Sequence, residues 1–418
     1  MEDERGASTA AGAQAALPDI NEETYPFEVV QRLIDRAAHF NMLSVPDCAD
    51  GAAIEGDGGA VGLRIREVLH RFEIRMELPG RSAGLRAANV AGEPAATFEH
   101  RWLLIPDDWQ ALPDREPPPT VLDPSRSQRF AMLDSVCRFG DGRDGFRGFG
   151  TGSTLPCGDG RLLAAAVGNV MEGFGRLAGR EGTYLYCGEI DPQRGFTGNL
   201  MLRVVDPGEG LGVEGDLPPI EPVAHEPEPG ITYLLLRGQK RGRGQKTGYR
   251  FGSGGAVVGL DVEQDLRLID LGFAVRGRGG LRSTRSVGPV VGRMTARIDF
   301  NLLDPGAPGT GAAPIPFRSF NEYTIFDRDG REIGGFSADG NEGRTFLQQL
   351  AGAPGQRALR FGGFGPLLDG TGPFAGIQGL MTDNSVVGIA PHALATLYVL
   401  RIHDPEGRYR CALSGAWR

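Results

Sequence analysis

From Val61 onward the chain alternates apolar and polar residues in short runs. Leu63-Arg64-Ile65-Arg66-Glu67-Val68 and Phe72-Glu73-Ile74-Arg75-Met76 place apolar side chains at every second position, the period of a strand with one buried face. One segment departs from it. Between Tyr25 and about Met42, residues Val29, Val30, Leu33, Ile34, Ala37 and Ala38 share one helical face, and Pro26 suits a first turn. Almost nothing later has that period, so the pattern predicts a mainly β protein with a short N-terminal helix.

Two proline-rich stretches read as linkers. Leu112 to Pro124 contains Pro117-Pro118-Pro119, and Gly208 to Gly230 is acidic with five prolines; prolines stiffen and extend such segments. The second is the better boundary. The expected division is a disordered tail at 1–24, a helix and strands at 25–80, one barrel at 81–207, a linker at 208–230 and a second barrel at 231–418.

An internal repeat carries that division. Glu172-Gly-Phe-Gly-Arg-Leu177-Ala-Gly-Arg-Glu-Gly182 and Asp369-Gly-Thr-Gly-Pro-Phe374-Ala-Gly-Ile-Gln-Gly379 match over eleven positions without a gap, at an offset of 197. Arg203, Asp206 and Pro207 recur as Arg401, Asp404 and Pro405, and upstream Gly148-Phe149 is matched to Gly335-Phe336. Self-similarity in this order indicates a tandem duplication.

With 65 glycines and 29 prolines among 418 residues and no triplet period, the composition favours many turns and short strands. Small barrels need glycine where strands turn a corner or approach closely. The large residue of each motif copy, Leu177 or Phe374, would plug a barrel end.

The second copy, Gly370-x-Gly-x-Phe374-x-Gly376-x-x-Gly379, resembles the glycine-rich segment of allene oxide cyclases and, more loosely, of dirigent proteins. The resemblance implies an eight-stranded antiparallel barrel of calycin type with an apolar cavity, and chemistry without a metal or organic cofactor. It covers one motif and the following strand in each half. None of the family's polar cavity residues aligns here, so none is carried over, and the two barrels and added helix depart from the family pattern.

The chain excludes several chemistries. Its net charge of −9 argues against a nucleic-acid partner. The segment Arg237 to Arg250 is basic but holds a single aromatic residue, Tyr249, and reads as a solvated loop, a nucleic-acid contact or a charged lid. No apolar run reaches the roughly 18 residues of a membrane span, and the acidic first 18 residues lack a signal-peptide core, so a cytoplasmic address is expected. Five cysteines without C-x-x-C spacing fit a reducing compartment. The six histidines lack metal-ligand spacing, so no metal is expected. Lys240 and Lys246, the two lysines, share one polar loop, which disfavours a buried Schiff base. The glycine runs lack the following helix that a phosphate site needs.

What remains for proton transfer is a short set on expected strands. Tyr184 and Tyr186 share one face of their strand, Tyr398 lies with Leu400 and Ile402, and His403 lies with Arg401; of Glu322 and Tyr323, at most one faces inward. The catalytic candidates are thus Tyr184, Tyr186, Tyr323, Tyr398 and His403. Glu322, Arg401, Arg203 and Phe374 are ligand-binding candidates. For each, a packing role or, for the arginines, an ion pair with Asp206 or Asp404, stands as the plainer alternative. The expected function is a cofactor-independent cyclase, isomerase or lyase acting on a hydrophobic molecule of aromatic, polyketide, terpenoid or lignin-type phenylpropanoid character. A non-enzymatic binding or stereochemical guide protein and a filled-barrel scaffold are the alternatives. A homodimer is compatible with the sequence.

Overall fold

The computed structural model describes residues 25–35, 37–44, 49–77, 84–107, 116–157, 160–191, 195–205, 230–240, 248–252, 257–270, 275–276, 280–281, 285–300, 315–349, 357–388 and 392–417. The expected tail, most of the 208–230 linker and Lys246 fall outside them. The protein is mainly β, with two closed eight-stranded antiparallel barrels.

The first barrel closes through β1 (Ala37–Ser44), β3 (Gly59–Glu77), β4 (Gly84–Ile105), β5 (Arg129–Phe139), β6 (Asp144–Pro156), β7 (Leu162–Phe174), β8 (Gly182–Asp191) and β9 (Gly195–Val205). Strand β1 pairs with both β9 and β3, and β2 (Ala49–Gly56) extends the sheet outside the closure. The second barrel repeats the order: β10 (Ile231–Gln239), β12 (Val257–Asp270), β15 (Arg285–Phe300), β16 (Ile315–Phe326), β17 (Glu332–Gln349), β18 (Arg357–Leu368), β19 (Gly379–Gly388) and β20 (Leu394–His403). Here β10 closes onto β12, and β11 (Gly248–Phe251) is the outer extension. A small hairpin, β13 (Val275–Arg276) with β14 (Gly280–Leu281), lies between β12 and β15 in sequence.

Two boundaries differ from the sequence reading. Helix α1 spans Phe27–Ile34 and stops well short of Met42, because residues 37–44 pair along the whole of β9. Phe40 and Met42 enter the barrel core, so the alanines that completed a helical face belong to a strand. The first barrel therefore begins at Ala37, not at residue 81. Residues 116–124 are likewise no free linker: Thr120 N–H donates to Leu104 and Leu122 N–H to Ala60, which ties them along the barrel.

The glycine motif has one conformation in both copies. Gly175 and Gly179 have φ of 61° and 68°, Gly372 and Gly376 have 59° and 73°, and the single turn of 3₁₀ helix between each pair buries Leu177 or Phe374. The upstream match needs a correction. Phe146 pairs with Cys137 and Phe336 with Tyr323, while a Cβ on Gly145 or Gly335 would meet the Cys137 or Tyr323 carbonyl. The counterpart of Gly335-Phe336 is therefore Gly145-Phe146. Phe149 belongs to a separate cluster with Leu103, Ile105, Ala131 and Leu133, apart from the interior rings.

The barrels pack against each other through β7–β9 on one side and β18–β20 on the other. Ala165, Val167, Leu185, Cys187 and Met201 share one core cluster with the second barrel, while Tyr184, Tyr186, Leu200 and Leu202 point into the first. Both faces of these strands are buried, which erases the alternation that a half-exposed strand would show. Helix α1 crosses over: Val30 and Ile34 pack on Ala358, Val386, Ala393 and Ala395 of the second barrel, and the Gln31 side-chain amide bonds both backbone groups of Leu394. The unanticipated C-terminal helix α2 (Arg408–Ala416) closes one end of the second barrel with Leu413, and Trp417 just beyond it donates its Nε1–H to Phe326 O at 2.8 Å. Among the described residues no helix is long and apolar enough to cross a membrane.

At the centre of this interface Gly362 leaves no room for a side chain; a Cβ there would sit 2.1 Å from Val167 Cγ1 and 2.9 Å from Thr183 Cγ2. Gly362→Ala is expected to destabilise the protein by about 1–3 kcal/mol through overpacking. Adding Val167→Ala should recover part of that loss. Thermal melting of the two single variants and the double variant measures the coupling; additive losses would place the glycine outside the contact.

Candidate functional site

The registers bring matching positions of the two barrels to the same level. The eleven-residue motif aligns Gly182 with Gly379, so Tyr186 on β8 corresponds to Asp383 on β19. Their cross-strand partners, Leu200 and Tyr398, also correspond. Carried through β1 and β10, the pairings of Met42 with Arg71 and of Leu236 with Leu268 equate Glu67 with Gln264. His100, Trp102 and Ser44 then correspond to Ala296, Ile298 and Gly238. Each barrel thus holds one carboxyl group at this level, from different strands: β3 in the first, β19 in the second.

In the first barrel the carboxyl group is saturated. Ser44 Oγ donates to Glu67 Oε1 at 2.5 Å, Tyr186 Oη donates to Oε2 at 3.0 Å, and His100 Nε2 lies 3.0 Å from Oε2. Around them Trp102 stacks on Phe130 at 4.4 Å and Tyr186 on Phe196 at 6.3 Å. Glycine makes space for these rings: a Cβ on Gly168 would fall 1.9 Å from Tyr184 Cζ, and one on Gly198 2.3 Å from Tyr186 Oη. Tyr184 Oη lies beside Ser135 without a well-formed hydrogen bond, and burial holds its phenol well above the ordinary value. Tyr186 is held high by burial and then by Glu67. This interior is filled with aromatic side chains.

The second barrel carries smaller residues at the same level and is hollow there. A cavity of about 20 Å³ is lined by Asp383, Tyr398, Gln264, Asn321, Phe317 and Phe361 among others. That volume holds about one water molecule. Asp383 and Tyr398 are direct cross-strand partners on β19 and β20, which sets their Cβ atoms roughly 5 Å apart. Gln264 Nε2 donates to Tyr398 Oη at 3.1 Å and to Thr396 Oγ1 at 3.2 Å. It reaches across β10 because Gly238 stands between; a Cβ there would lie 1.6 Å from Gln264 Oε1. Ser385 Oγ sits 2.9 Å from Thr396 Oγ1 and 3.1 Å from Asp383 Oδ2. Amide, threonine, serine and carboxylate therefore form one chain of donors ending on Asp383.

The electrostatics separate the two facing groups. Burial raises the Asp383 carboxyl from 3.8 to about 6, against the stabilising contact from Ser385. Burial and then the Asp383 charge hold the Tyr398 phenol well above 10, and Tyr323, whose ring meets Tyr398 edge-on at 5.6 Å, is raised by burial, Tyr398 and Asp383. At neutral pH the carboxyl is ionised and both phenols keep their protons. The carboxylate can accept a proton, whereas the phenols, kept neutral, can donate a hydrogen bond.

The remaining sequence candidates lie elsewhere. Glu322 is exposed on the outer face beside Thr295, so Tyr323 is the inward member of that pair. Phe374 packs on Phe336 at 5.4 Å, at the plugged end, and does not line the cavity. Arg401 and His403 face the first barrel. Arg401 Nη2 bonds Glu189 Oε2 at 2.9 Å, and Arg161, which bonds Glu189 Oε1 at 3.0 Å, also reaches His403 Nε2. Arg203 crosses the other way to Asn384 O at 3.0 Å and to Ile34 O. The repeat arginines thus bind across the barrel interface and line no ligand site. Asp404 accepts instead from Thr232 and from the first amides of α2; Asp206 is outside the described residues. Asp383, Gln264 and Glu67 were not among the sequence candidates.

No family model, curated protein or solved structure matches this chain. Among the described residues no group of three or more histidines, cysteines and acids is arranged to hold a metal ion.

The raised Asp383 carboxyl has a consequence for stability. Between pH 3.8 and about 6 the folded protein binds more protons at this group than the unfolded chain, so its contribution to stability falls as pH rises through that window. Asp383→Asn removes the cost of the buried charge and should stabilise the protein at pH 8 by up to about 3 kcal/mol, with little gain at pH 4. Melting at both pH values checks this. Equal effects at the two pH values would contradict a buried, costly charge.

Proposed function

We propose that the second barrel is a cofactor-independent acid–base site for a small, largely apolar molecule, with Asp383 as general base and Tyr398 as hydrogen-bond donor. The observation that carries this reading is the pairing of an ionised, under-bonded carboxylate with a neutral phenol across one cavity wall. A carboxylate kept buried with one hydroxyl for a partner is costly, and such sites are where proton-transfer groups are found. The first barrel supports the assignment by contrast: its carboxyl group meets three partners inside a filled interior.

The reaction class this favours is isomerisation or lyase chemistry, in line with the allene oxide cyclase-like motif. A cavity of about 20 Å³ is smaller than any organic substrate, so its lining must rearrange to admit one, and a small molecule asks least of it. A binding protein built on the same cavity is the second reading; it is favoured by the closed chain of hydrogen bonds through Gln264, Thr396 and Ser385, which would fix a ligand without turnover.

Mass spectrometry of small molecules retained by the purified protein identifies the ligand. Turnover of that ligand should fall by roughly 10²–10⁴ in Asp383→Asn, and kcat/KM should lose activity below about pH 6 as the carboxyl protonates. Tyr184→Phe, in the first barrel, should leave turnover within a few-fold. Full activity in Asp383→Asn would remove the base from the assignment, and tight binding without turnover would favour the binding protein.

A further inference from the structure

We propose that the substrate of the second barrel is an enolisable carbonyl compound, its oxygen seated on the Tyr398 hydroxyl and the carbon next to its carbonyl facing Asp383. This rests on the acid–base reading above and names the substrate class for the same site.

Three observations point there. Tyr398 Oη accepts from Gln264 Nε2, lies beside Thr396 and borders the cavity, so a carbonyl oxygen seated there can take the phenolic hydrogen. Tyr398 stays protonated beside an ionised carboxylate, so it serves as a donor to developing negative charge and not as a second base. The two groups project inward from opposed positions on neighbouring strands. As direct cross-strand partners, the two can reach neighbouring atoms of one bound molecule.

A protonated amine would answer the Asp383 charge but would leave the Tyr398 hydrogen facing another donor. An ester or amide awaiting hydrolysis would need a nucleophile, and Ser385 already lies in the chain between Thr396 and Asp383. A ketone or aldehyde satisfies both walls. The apolar side of the cavity, Met294, Val262 and Phe361, would then pack its carbon skeleton.

The step balances within the site. Asp383 takes the α-proton; the C–H electron pair forms the C=C bond, and the carbonyl π pair moves to oxygen, which the Tyr398 O–H stabilises. Where the substrate is a β,γ-unsaturated ketone, return of the same proton to the γ-carbon of the dienolate shifts the double bond and completes an isomerisation; its return to the original carbon is silent except by isotope exchange. No oxidant, reductant or co-reactant enters.

The test uses the full-length protein with acetone, cyclopentanone and 2-cyclohexenone in D₂O, following loss of the α-proton signals by NMR. Wild-type protein should exchange at least one probe faster than the buffer. Asp383→Asn should return the rate to background, a loss of roughly 10²–10⁴ where the wild-type rate allows it to be read. Tyr398→Phe should lower the rate by roughly 10²–10³ while keeping its pH dependence, since the base is intact. Phenol, a stand-in for the enolate, should inhibit exchange in wild-type protein and lose potency in Tyr398→Phe. Exchange of none of the three probes above the Asp383→Asn level overturns the carbonyl assignment. If the retained ligand is still turned over in an Asp383-dependent way, that failure concerns the substrate class alone; if Asp383 is dispensable there too, the acid–base reading falls with it.

Discussion

The bore of an eight-stranded barrel is just wide enough for side chains to fill it, so the volume placed at a single level of interior positions decides whether the barrel is solid or hollow. In the first barrel that level holds Glu67, His100, Trp102, Tyr186 and Leu200, and the Tyr186 ring meets those of His100 and Trp102 edge-on. In the second, the matching positions are Gln264, Ala296, Ile298, Asp383 and Tyr398; the rings of His100, Trp102 and Tyr186 are lost at Ala296, Ile298 and Asp383, one is gained at Tyr398, and space is left. The rest of the site follows from that difference. Only beside empty space is a buried carboxylate left with one hydrogen-bond partner.

The same comparison explains why duplication did not yield two equal sites. Both barrels retain a carboxyl group and a phenol at this level, but the carboxyl group has moved from β3 to β19. On β3 the carboxyl group meets Ser44 across the closing strand, whereas at the matching place in the second barrel Gly238 clears the way for Gln264 to reach Tyr398. In the first barrel Glu67 is bonded by Ser44, Tyr186 and His100, while His100 Nδ1, Trp102 Nε1 and Tyr184 Oη beside it have no hydrogen-bond partner among the described residues. In the second barrel Asp383 borders a cavity and is bonded by Ser385.

The two barrels are also fastened in a related manner. Arg203 and Arg401, matched in the repeat, each leave their own barrel and bond to the matched strand of the other, β19 and β8 respectively. Burial and the neighbouring Arg237 bring Arg203 down to about 10, still charged at neutral pH. A buried guanidinium without its carbonyl and amide acceptors would be costly, so the arginines bind the halves together. Helix α1 precedes the first barrel yet lies on the second, which adds a strap across the junction.

The alternation after Val61 and the eleven-residue repeat were enough to establish strands, duplication and barrel corners, because strand period and positive-φ glycine are local properties written residue by residue. Two interior acids were legible in principle. Glu67 falls on the inward phase of a strand whose Arg64 and Arg66 face out, and Asp383 stands at the repeat position of Tyr186. Of Glu322 and Tyr323 at most one could face inward, and burial makes it Tyr323; Tyr398 was placed on one face with Leu400 and Ile402, and all three are buried. The end of α1 was not legible, since residues 37–44 suit a helical face equally well and only pairing with β9 made them a strand. Nor was the fate of Arg203, Arg401 and His403, whose partners come from the opposite barrel. Where a cavity remains, which carboxylate gathers several hydrogen-bond partners and which outer face is buried were decided by the tertiary structure alone, because each depends on volumes and hydrogen-bond partners brought together from strands far apart in the chain.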